Sequence, residues 1–430
     1  MGEGSAGKSS LLRDRDFRLV AGSVGLSAMG DWVAITALGL HVEELTNSGY
    51  AVAALWICLF GPSVVVAGHA GLLVDRVEAT RLLALVAALG AIGAAALAFV
   101  EATAPVLVLT AGLGVVFALM QPAEFSLVPP LAGRRIQEAN GHVETARYVG
   151  FGVGPALGGF LFAAGGLELA MLVDAATFAA VAAAALALRI RREPQDVTDD
   201  EGGGMSAARQ GVAYLFRDRV LALVMVVAFT SLLFMSAVWV GELFFVKDTL
   251  DQGDTAYGIF LSVWTAGMAM GALFLSRRVA AGAVAATGLA AAAIQGAGLA
   301  LPTLWLSLGF FLACAFIGGL GHGVKNVMFR SLIHVRVPER LHGRAFAAYN
   351  GIRNGAELGA FAAGGVLVAL IGPTGTLAYA GGLSALAGLV GLLMLVRMNR
   401  GWVPTGPIGP PAGTPVITAD PPGPPIPEDP

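Results

Sequence analysis

Twelve apolar runs divide this chain, at roughly 18–42, 49–73, 80–100, 104–128, 142–165, 167–189, 220–246, 255–276, 279–300, 303–328, 345–371 and 374–396. About 20 apolar residues suffice to carry a helix across ~30 Å of hydrocarbon. Each run meets that length. A backbone in lipid must satisfy its own hydrogen bonds, which leaves helices and closed barrels as the only spanning structures. Runs of this length, with no two-residue alternation, predict an all-α membrane protein with twelve transmembrane helices. Only 13% of the residues are charged, about half the share of a soluble globular domain. The first run contains Asp31 and is too long for a signal-peptide core, so it is expected to be retained as a span.

Basic residues orient the spans. Arg76 and Arg81, Arg134 and Arg135, Arg191 and Arg192, Arg277 and Arg278, and Arg397 and Arg400 fall in loops of one side, together with the N-terminal Lys8, Arg13, Arg15 and Arg18. The loops of the other side hold Lys247 alone. The positive-inside rule then places both termini in the cytoplasm of a cell with the protein in its inner membrane. The expected organisation is a cytoplasmic segment 1–17, a six-helix bundle 18–190, a linker 191–219, a second six-helix bundle 220–397 and a tail 398–430. The linker combines the acidic PQDVTDDEGGG with ARQGVAYLFRD, which reads as a short amphipathic surface helix. Residues 401–430 hold eleven prolines, a composition that cannot form a packed core.

The halves also repeat. Gly150, Gly154 and Gly158 recur as Gly351, Gly355 and Gly359, and the same shift of 201 carries Arg76 onto Arg277, Arg135 onto Arg336 and Glu124 onto Lys325. Two pseudo-symmetric six-helix halves are a recurrent plan of secondary transporters.

Several chemistries are set aside. Two cysteines, Cys58 and Cys314, both in apolar runs, cannot supply a structural zinc site, and no cofactor or metal is expected. GEGSAGKS at residues 2–9 fits the phosphate-binding loop pattern, yet no strand can precede it and no soluble ATPase domain follows. The pattern is read as coincidental. Neither an enzyme nor a nucleic-acid partner is expected; the partners are protons, the lipid bilayer and a small amphipathic organic substrate, and the protein is read as a monomer.

The fifth run carries YVGFGVGPALGG, residues 148–159. Gly150, Gly154 and Gly158 share one helix face, and such a face permits close backbone approach in lipid. Pro155 removes a helical hydrogen bond beside it. Gly267 and Gly271 offer a matching small face in the eighth span, which predicts a fifth span that slides against the eighth. The string G-x-x-x-G-P-x-x-G-G, with Gly150, Gly154, Pro155, Gly158 and Gly159 at its fixed positions, resembles the antiporter motif of drug–proton antiporters in the major facilitator superfamily. GLLVDRVEATR, residues 71–81, resembles that superfamily's loop between spans two and three. Gly71, Leu73, Asp75 and Arg76 match it, while Glu78, Ala79 and Thr80 depart from it. QPAEFSLVPPLAGRRIQEAN and RVPERLHGRAFA are similar to the branch of macrolide exporters and the enterobactin exporter. The resemblance covers about residues 11–400. It implies the major facilitator fold, a central cavity lined by spans one, four, seven and ten, and a gating loop in which Asp75 meets the eleventh span.

Charges inside the spans carry the chemistry, because each costs roughly 2.5–3.5 kcal/mol at the bilayer centre unless it faces a cavity or a partner. Asp31, Glu124 and Glu242 are the proton-coupling candidates, with Asp31 deepest in its span and on a polar stripe with Ser23 and Ser27. Glu124 and Lys325 read as a gate pair, Arg353 and Glu357 as a local i, i+4 pair, and Asp174 as a helix–helix hydrogen bond. Glu242 falls near the outer end, where it is expected to meet solvent, and the partner of Arg147 is unreadable. Trp32, Phe234, Trp239 and Trp264 are the candidate substrate-cavity residues. The expected activity is proton-coupled export by alternating access; an uncoupled facilitator of lipid or metabolite, or a non-transporting receptor, is the alternative.

Overall fold

The computed structural model describes residues 11–190, 212–338 and 341–400. Regular structure among them is helical. The N-half comprises α1 (Arg15–Thr46), α2 (Gly49–Arg76), α3 (Ala79–Leu97), α4 (Thr103–Ser126), the five-residue α5 (Val128–Ala132) and α6 (Ile136–Ala187). The C-half comprises α7 (Arg219–Phe244), α8 (Asp254–Met270), α9 (Val284–Ala300), α10 (Leu308–Arg336) and α11 (His342–Arg400). The segments 1–10, 191–211 and 401–430, with the phosphate-loop pattern, most of the linker and the Pro-rich tail, lie outside the described residues. So do the side chains of Gly71, Asp75 and Arg76, whose backbone forms the last turns of α2.

Among the described residues, ten helices are long and apolar enough to span a membrane. The two longest, α6 with 52 residues and α11 with 59, each cross twice. α6 reverses at Gly165 and Gly166, where Gly166 has φ 64° and ψ −160°, and α11 reverses at Gly372, with φ 70° and ψ 174°. Only glycine enters that region cheaply, so the residue type fixes the turn. Counting each limb separately gives twelve crossings, divided where the apolar runs 142–165/167–189 and 345–371/374–396 divide. The protein is a multi-pass membrane protein. On α3, Leu85, Leu89 and Ile92 share one face and are 59%, 53% and 67% exposed, an apolar stripe that suits lipid rather than water.

Matching polar ties start the two halves. Asp14 caps α1, accepting from the N–H groups of Asp16 at 2.8 Å and Phe17 at 3.1 Å. Asp16 then accepts from the N–H groups of Arg189 at 2.9 Å and Ile190 at 3.1 Å, which holds the start of α1 to the end of α6. Asp218 caps α7 through the N–H of Leu221 at 2.8 Å and takes the Arg336 guanidinium at 2.8 and 2.9 Å, tying α7 to α10.

Glycine contacts establish the repeat, but at a different register from the one read in the sequence. A Cβ on Gly158 would sit 2.8 Å from the Val33 carbonyl of α1, and one on Gly364 would sit 2.5 Å from the Ala237 carbonyl of α7. Gly159 meets the Asp254 carbonyl of α8, and Gly365 meets the Gly49 carbonyl of α2. With the turn glycines Gly166 and Gly372, these pairs are each 206 residues apart. Gly114 against Leu59 and Gly319 against Trp264 are 205 apart. The shift of 201 is therefore corrected: Gly351, Gly355 and Gly359 have open space at the Cβ position, whereas Gly150, Gly154 and Gly158 press on α1. Those three glycines do not face the eighth span. Gly267 and Gly271 do not face the fifth; they meet Phe316 and Leu320 of α10.

The crossing of the fifth and eighth spans rests on other atoms. Gly159 packs on Gly258, Gly258 on the Pro155 carbonyl, and the Ala156 N–H donates to Ser262 Oγ at 2.9 Å. The same side of the membrane, opposite the chain ends, holds an ion clamp. Lys247 Nζ lies 2.8 Å from Glu43 of α1 and 3.0 Å from Asp254 of α8, so one ammonium ties the halves together. Below the clamp, Trp239 of α7 meets Trp32 and Trp56 with ring centroids 6.0 and 6.3 Å apart, and Phe60 stacks on Phe361 at 5.8 Å.

Two outcomes follow from this seam. Gly158→Leu should disrupt α1 packing inside one half and lower the yield of monodisperse protein. Gly159→Leu should leave the halves folded but hold the distal seam open, abolishing flux. Size-exclusion profiles and transport rates distinguish them, and normal flux with Gly159→Leu would refute the seam assignment. Lys247→Met strands Glu43, which is 6% exposed. Discounted for the partly exposed lysine, roughly 1–3 kcal/mol is lost, so the open-to-closed ratio at this side should rise about five- to 150-fold. Spin labels at Thr46 and Thr249 would read that change as a longer distance population.

Candidate functional site

A cavity of about 650 Å³ separates the halves on the chain-end side of the aromatic floor. α1 supplies Asp31 and Trp32, α2 supplies Phe60 and Ser63, α4 supplies Phe117 and Gln121, and α6 supplies Phe151. The facing wall is built by Met235 and Trp239 of α7, His322 of α10, and Arg353, Asn354 and Glu357 of α11. The volume falls in the range of small-molecule sites, and the lining combines aromatic rings with charged and polar side chains that can orient a ligand. Because the two walls belong to different halves, any rocking of one half on the other reshapes the site.

Asp31 reaches this wall from the middle of α1, and its Oδ1 is buried with no hydrogen-bond partner. Immediately beside it, Asp31 shares a smaller cavity with Ser27, Gln121, Glu124 and Arg147. Glu124 is 5% exposed. Arg147 finds its partner on its own helix: Glu144 lies 3.1 Å away, and the guanidinium rests over the Phe125 and Phe151 rings at 5.3 and 5.6 Å. Asp174, on the second limb of α6, is fully buried behind α1, where a Cβ on Gly30 would lie 2.6 Å from its Oδ1. The Thr177 hydroxyl donates to the Asp174 backbone carbonyl at 2.8 Å and lies 3.4 Å from its carboxylate. Gly30 gives that carboxyl its space.

The C-half arranges its charges separately. Lys325 is 2% exposed and shares a small cavity with Asn326, Tyr349 and Arg353. No ion pair joins it to Glu124 among the described residues; the gate-pair expectation is not met in this conformation, because the two side chains occupy separate cavities in opposite halves. Arg353 and Glu357 form the expected local pair at 3.8 Å. Glu242 is the second correction. It is 3% exposed rather than solvated, and it lines a small void behind the floor with Trp32, Trp239 and Trp264, with Tyr257 nearby.

Of the four aromatic candidates, Trp32 and Trp239 line the cavity. Trp264 lies behind it, with its ring 6.0 Å from His322, and Phe234 packs in the surrounding core. Phe60, Phe117, Phe151 and His322 were not distinguishable from filling residues in apolar runs, since no spacing separates a cavity-facing ring from a lipid-facing one. His322 is held by two amides: Nδ1 lies 3.2 Å from Gln295 Oε1 and Nε2 lies 2.9 Å from Asn326 Nδ2. An amide oxygen only accepts, so Nδ1 donates and Nε2 accepts, which fixes both ring orientation and tautomer.

The architecture recurs in solved transporters. The chain is similar to the nucleoside transporter NupG, with TM-score 0.67 and 16% identity over 89% of this chain and 99% of that one. It is similar to the peptide transporter POT in complex with sulfate, with TM-score 0.69 and 15% identity over 90% and 95% of the two chains. A bacterial homologue of the iron transporter ferroportin in its inward-facing state aligns with TM-score 0.66 and 16% identity over 90% and 99%. At these identities the likeness is one of fold. No curated protein sequence matches the chain. The description that does match in sequence is Major Facilitator Superfamily, over residues 20–360. A match across that much of the chain, on a cavity built between two six-helix halves, makes this protein a member of the Major Facilitator Superfamily.

Proposed function

We propose that the protein is a secondary active exporter that moves an amphipathic organic compound out of the cell in exchange for protons. The observation that carries the reading is Asp31, a carboxyl without a hydrogen-bond partner on the wall of the cavity between the halves. A group in that position can take up a proton from one side and release it to the other as the halves rock. The antiporter-like string supports the direction: Gly150, Gly154 and Gly158 bind α1, the helix that carries Asp31, while Gly159 binds α8 across the seam. One short segment therefore links the carboxyl's helix to the closure. The similarity of 121–140 and 336–347 to macrolide and enterobactin exporters favours drug, antibiotic or siderophore cargo. With both termini placed in the cytoplasm by the basic residues, the cavity on the chain-end side faces inward.

The potential supplies ~2.3 kcal/mol per charge per 100 mV. One net charge moved per cycle could thus sustain roughly a fiftyfold gradient per 100 mV. Glu124 and Glu242 are alternative carriers, Glu124 because it adjoins Asp31 and Glu242 because it is buried behind the floor. The Asp75 loop is proposed to stabilise closure against the eleventh span. An uncoupled facilitator would use the same cavity without a proton.

Asp31→Asn keeps the shape of the protonated acid and removes the titration. In proteoliposomes, exchange at saturating substrate should persist while uphill efflux under a pH gradient falls to equilibration. A structural aspartate gives the opposite pattern, with uphill transport nearly intact for Asn and poor folding for Asp31→Leu. Wild-type uphill rates in the Asn variant would move the assignment to Glu124 or Glu242. Flux that ignores the gradient in the wild-type protein would establish the facilitator.

A further inference from the structure

We infer that the cavity selects an amphipathic zwitterion, a molecule whose apolar body carries an amine toward Asp31 and an anionic group toward Arg353. The inference deepens the proposed function and rests on the same cavity being the transport site.

The two walls differ in charge. On the N-half wall, Asp31 presents an unpartnered carboxyl oxygen, and the carboxyls of Glu124 and Asp174 are buried in the same half. The cation there, Arg147, is engaged by Glu144 at 3.1 Å and by two aromatic rings. On the C-half wall, Arg353 faces the cavity, and its carboxylate neighbour Glu357 stands 3.8 Å away. That distance is beyond a hydrogen bond, so the guanidinium keeps donors for a ligand. Lys325 lies behind it in an adjoining cavity. His322, fixed by Gln295 and Asn326, adds no charge of its own in this tautomer. Glu242 belongs to the void behind Trp239 and is not on the wall.

Trp32, Trp239 and Phe60 line the same cavity and pack on one another. They suit a ring or an apolar body, and an amine at the Asp31 end gains further attraction from their faces. A simple cation satisfies one wall and leaves the donors of Arg353 unfilled on the other. A simple anion meets Asp31. A molecule with both charges complements both walls, which is how electrostatic complementarity discriminates between ligands of equal size. It also spans the two halves, and its amine competes with a proton for Asp31, so binding and proton release become one event.

The test is binding by purified protein in nanodiscs near neutral pH, with no gradient, followed by calorimetry. Three probes share one ring: para-(aminomethyl)phenylacetate as zwitterion, para-methylbenzylamine as cation and para-methylphenylacetate as anion. The zwitterion should bind at least about tenfold tighter than either of the others. Asp31→Asn should reduce it to the level of the anion, and Arg353→Gln to the level of the cation. Glu357→Gln, which frees Arg353 without removing it, should tighten the anion severalfold and thus tests the wall even where Arg353→Gln does not fold. A cation bound as tightly as the zwitterion, no zwitterion binding, or Glu357→Gln that leaves anion affinity unchanged would overturn the inference. Because no flux is measured, its failure leaves proton-coupled export standing. Failure of the pH-driven efflux assay with this ranking preserved would remove export and keep the zwitterion site.

Discussion

In hydrocarbon, helices gain nothing from burying apolar surface, since lipid is as apolar as a leucine side chain. What holds them together is close contact, and contact is closest where a glycine lets one backbone meet another. The structure depends on this at every level. Gly150, Gly154 and Gly158 bring α6 onto α1, Gly114 brings α4 onto a carbonyl of α2, and Gly319 and Gly323 bring α10 onto α8. Across the halves, Gly159 meets Gly258, and Gly365 meets Gly49. Contacts within a half and between halves thus use the same chemistry. They differ in what else surrounds them, and the seam between halves adds a clamp of three charges that a change of conformation can separate.

Charge placement follows from the same solvent. A lone charge in the apolar interior is costly, so most charged side chains of the spans lie at a cavity or beside a partner. Arg147 has Glu144 and two rings, Arg353 has Glu357, and Lys247 has two carboxylates. Asp31 stands at the cavity wall without a partner, Lys325 lies at a small cavity with no ion pair among the described residues, and Asp174 and Glu242 are enclosed deeper, against Gly30 and behind the aromatic floor. Three of these four groups are carboxyls, which can shed charge by taking a proton, and the fourth is an amine, which can shed it by losing one. That is the chemistry on which the proposed proton coupling draws.

The spans were legible because hydrophobic length is a one-dimensional property, and even the reversals at Gly166 and Gly372 coincide with breaks in the apolar runs. The i, i+4 pairing of Arg353 with Glu357 was readable for the same reason, since one helix fixes the spacing. What one helix cannot state is which neighbour its face meets. Gly158 and Gly267 each have a small face, and nothing in their strings says that one meets α1 and the other α10. The repeat illustrates the limit well. Matching letters gave a shift of 201, but contacts give 205–206, because small residues at four-residue spacing match themselves again about one turn away. Ala356 and Ala360 stand where Gly150 and Gly154 stand in the first half, and alanine conceals that equivalence. The solvent expected at Glu242 failed for a related reason: position near the end of a run says nothing of the Trp and Tyr rings that other helices fold over it.

This difference between the repeats has a mechanical consequence. At Gly158 and Gly364 both halves clamp their own first helix, but the turn that precedes each is built differently. The N-half has glycines at 150 and 154, with backbone against backbone along α1. The C-half has alanines there and sets its own glycines, 351, 355 and 359, where a Cβ would find open space. A helix pinned by three successive backbone contacts moves with its partner as a unit, so α1 and the first limb of α6 carry Asp31 and Gly159 together. A helix with unfilled glycine positions beside Arg353 and Glu357 keeps room to shift or to admit a ligand. The N-half is thereby suited to hold Asp31, the proposed proton site, rigid against the seam, and the C-half to adjust around whatever enters the cavity.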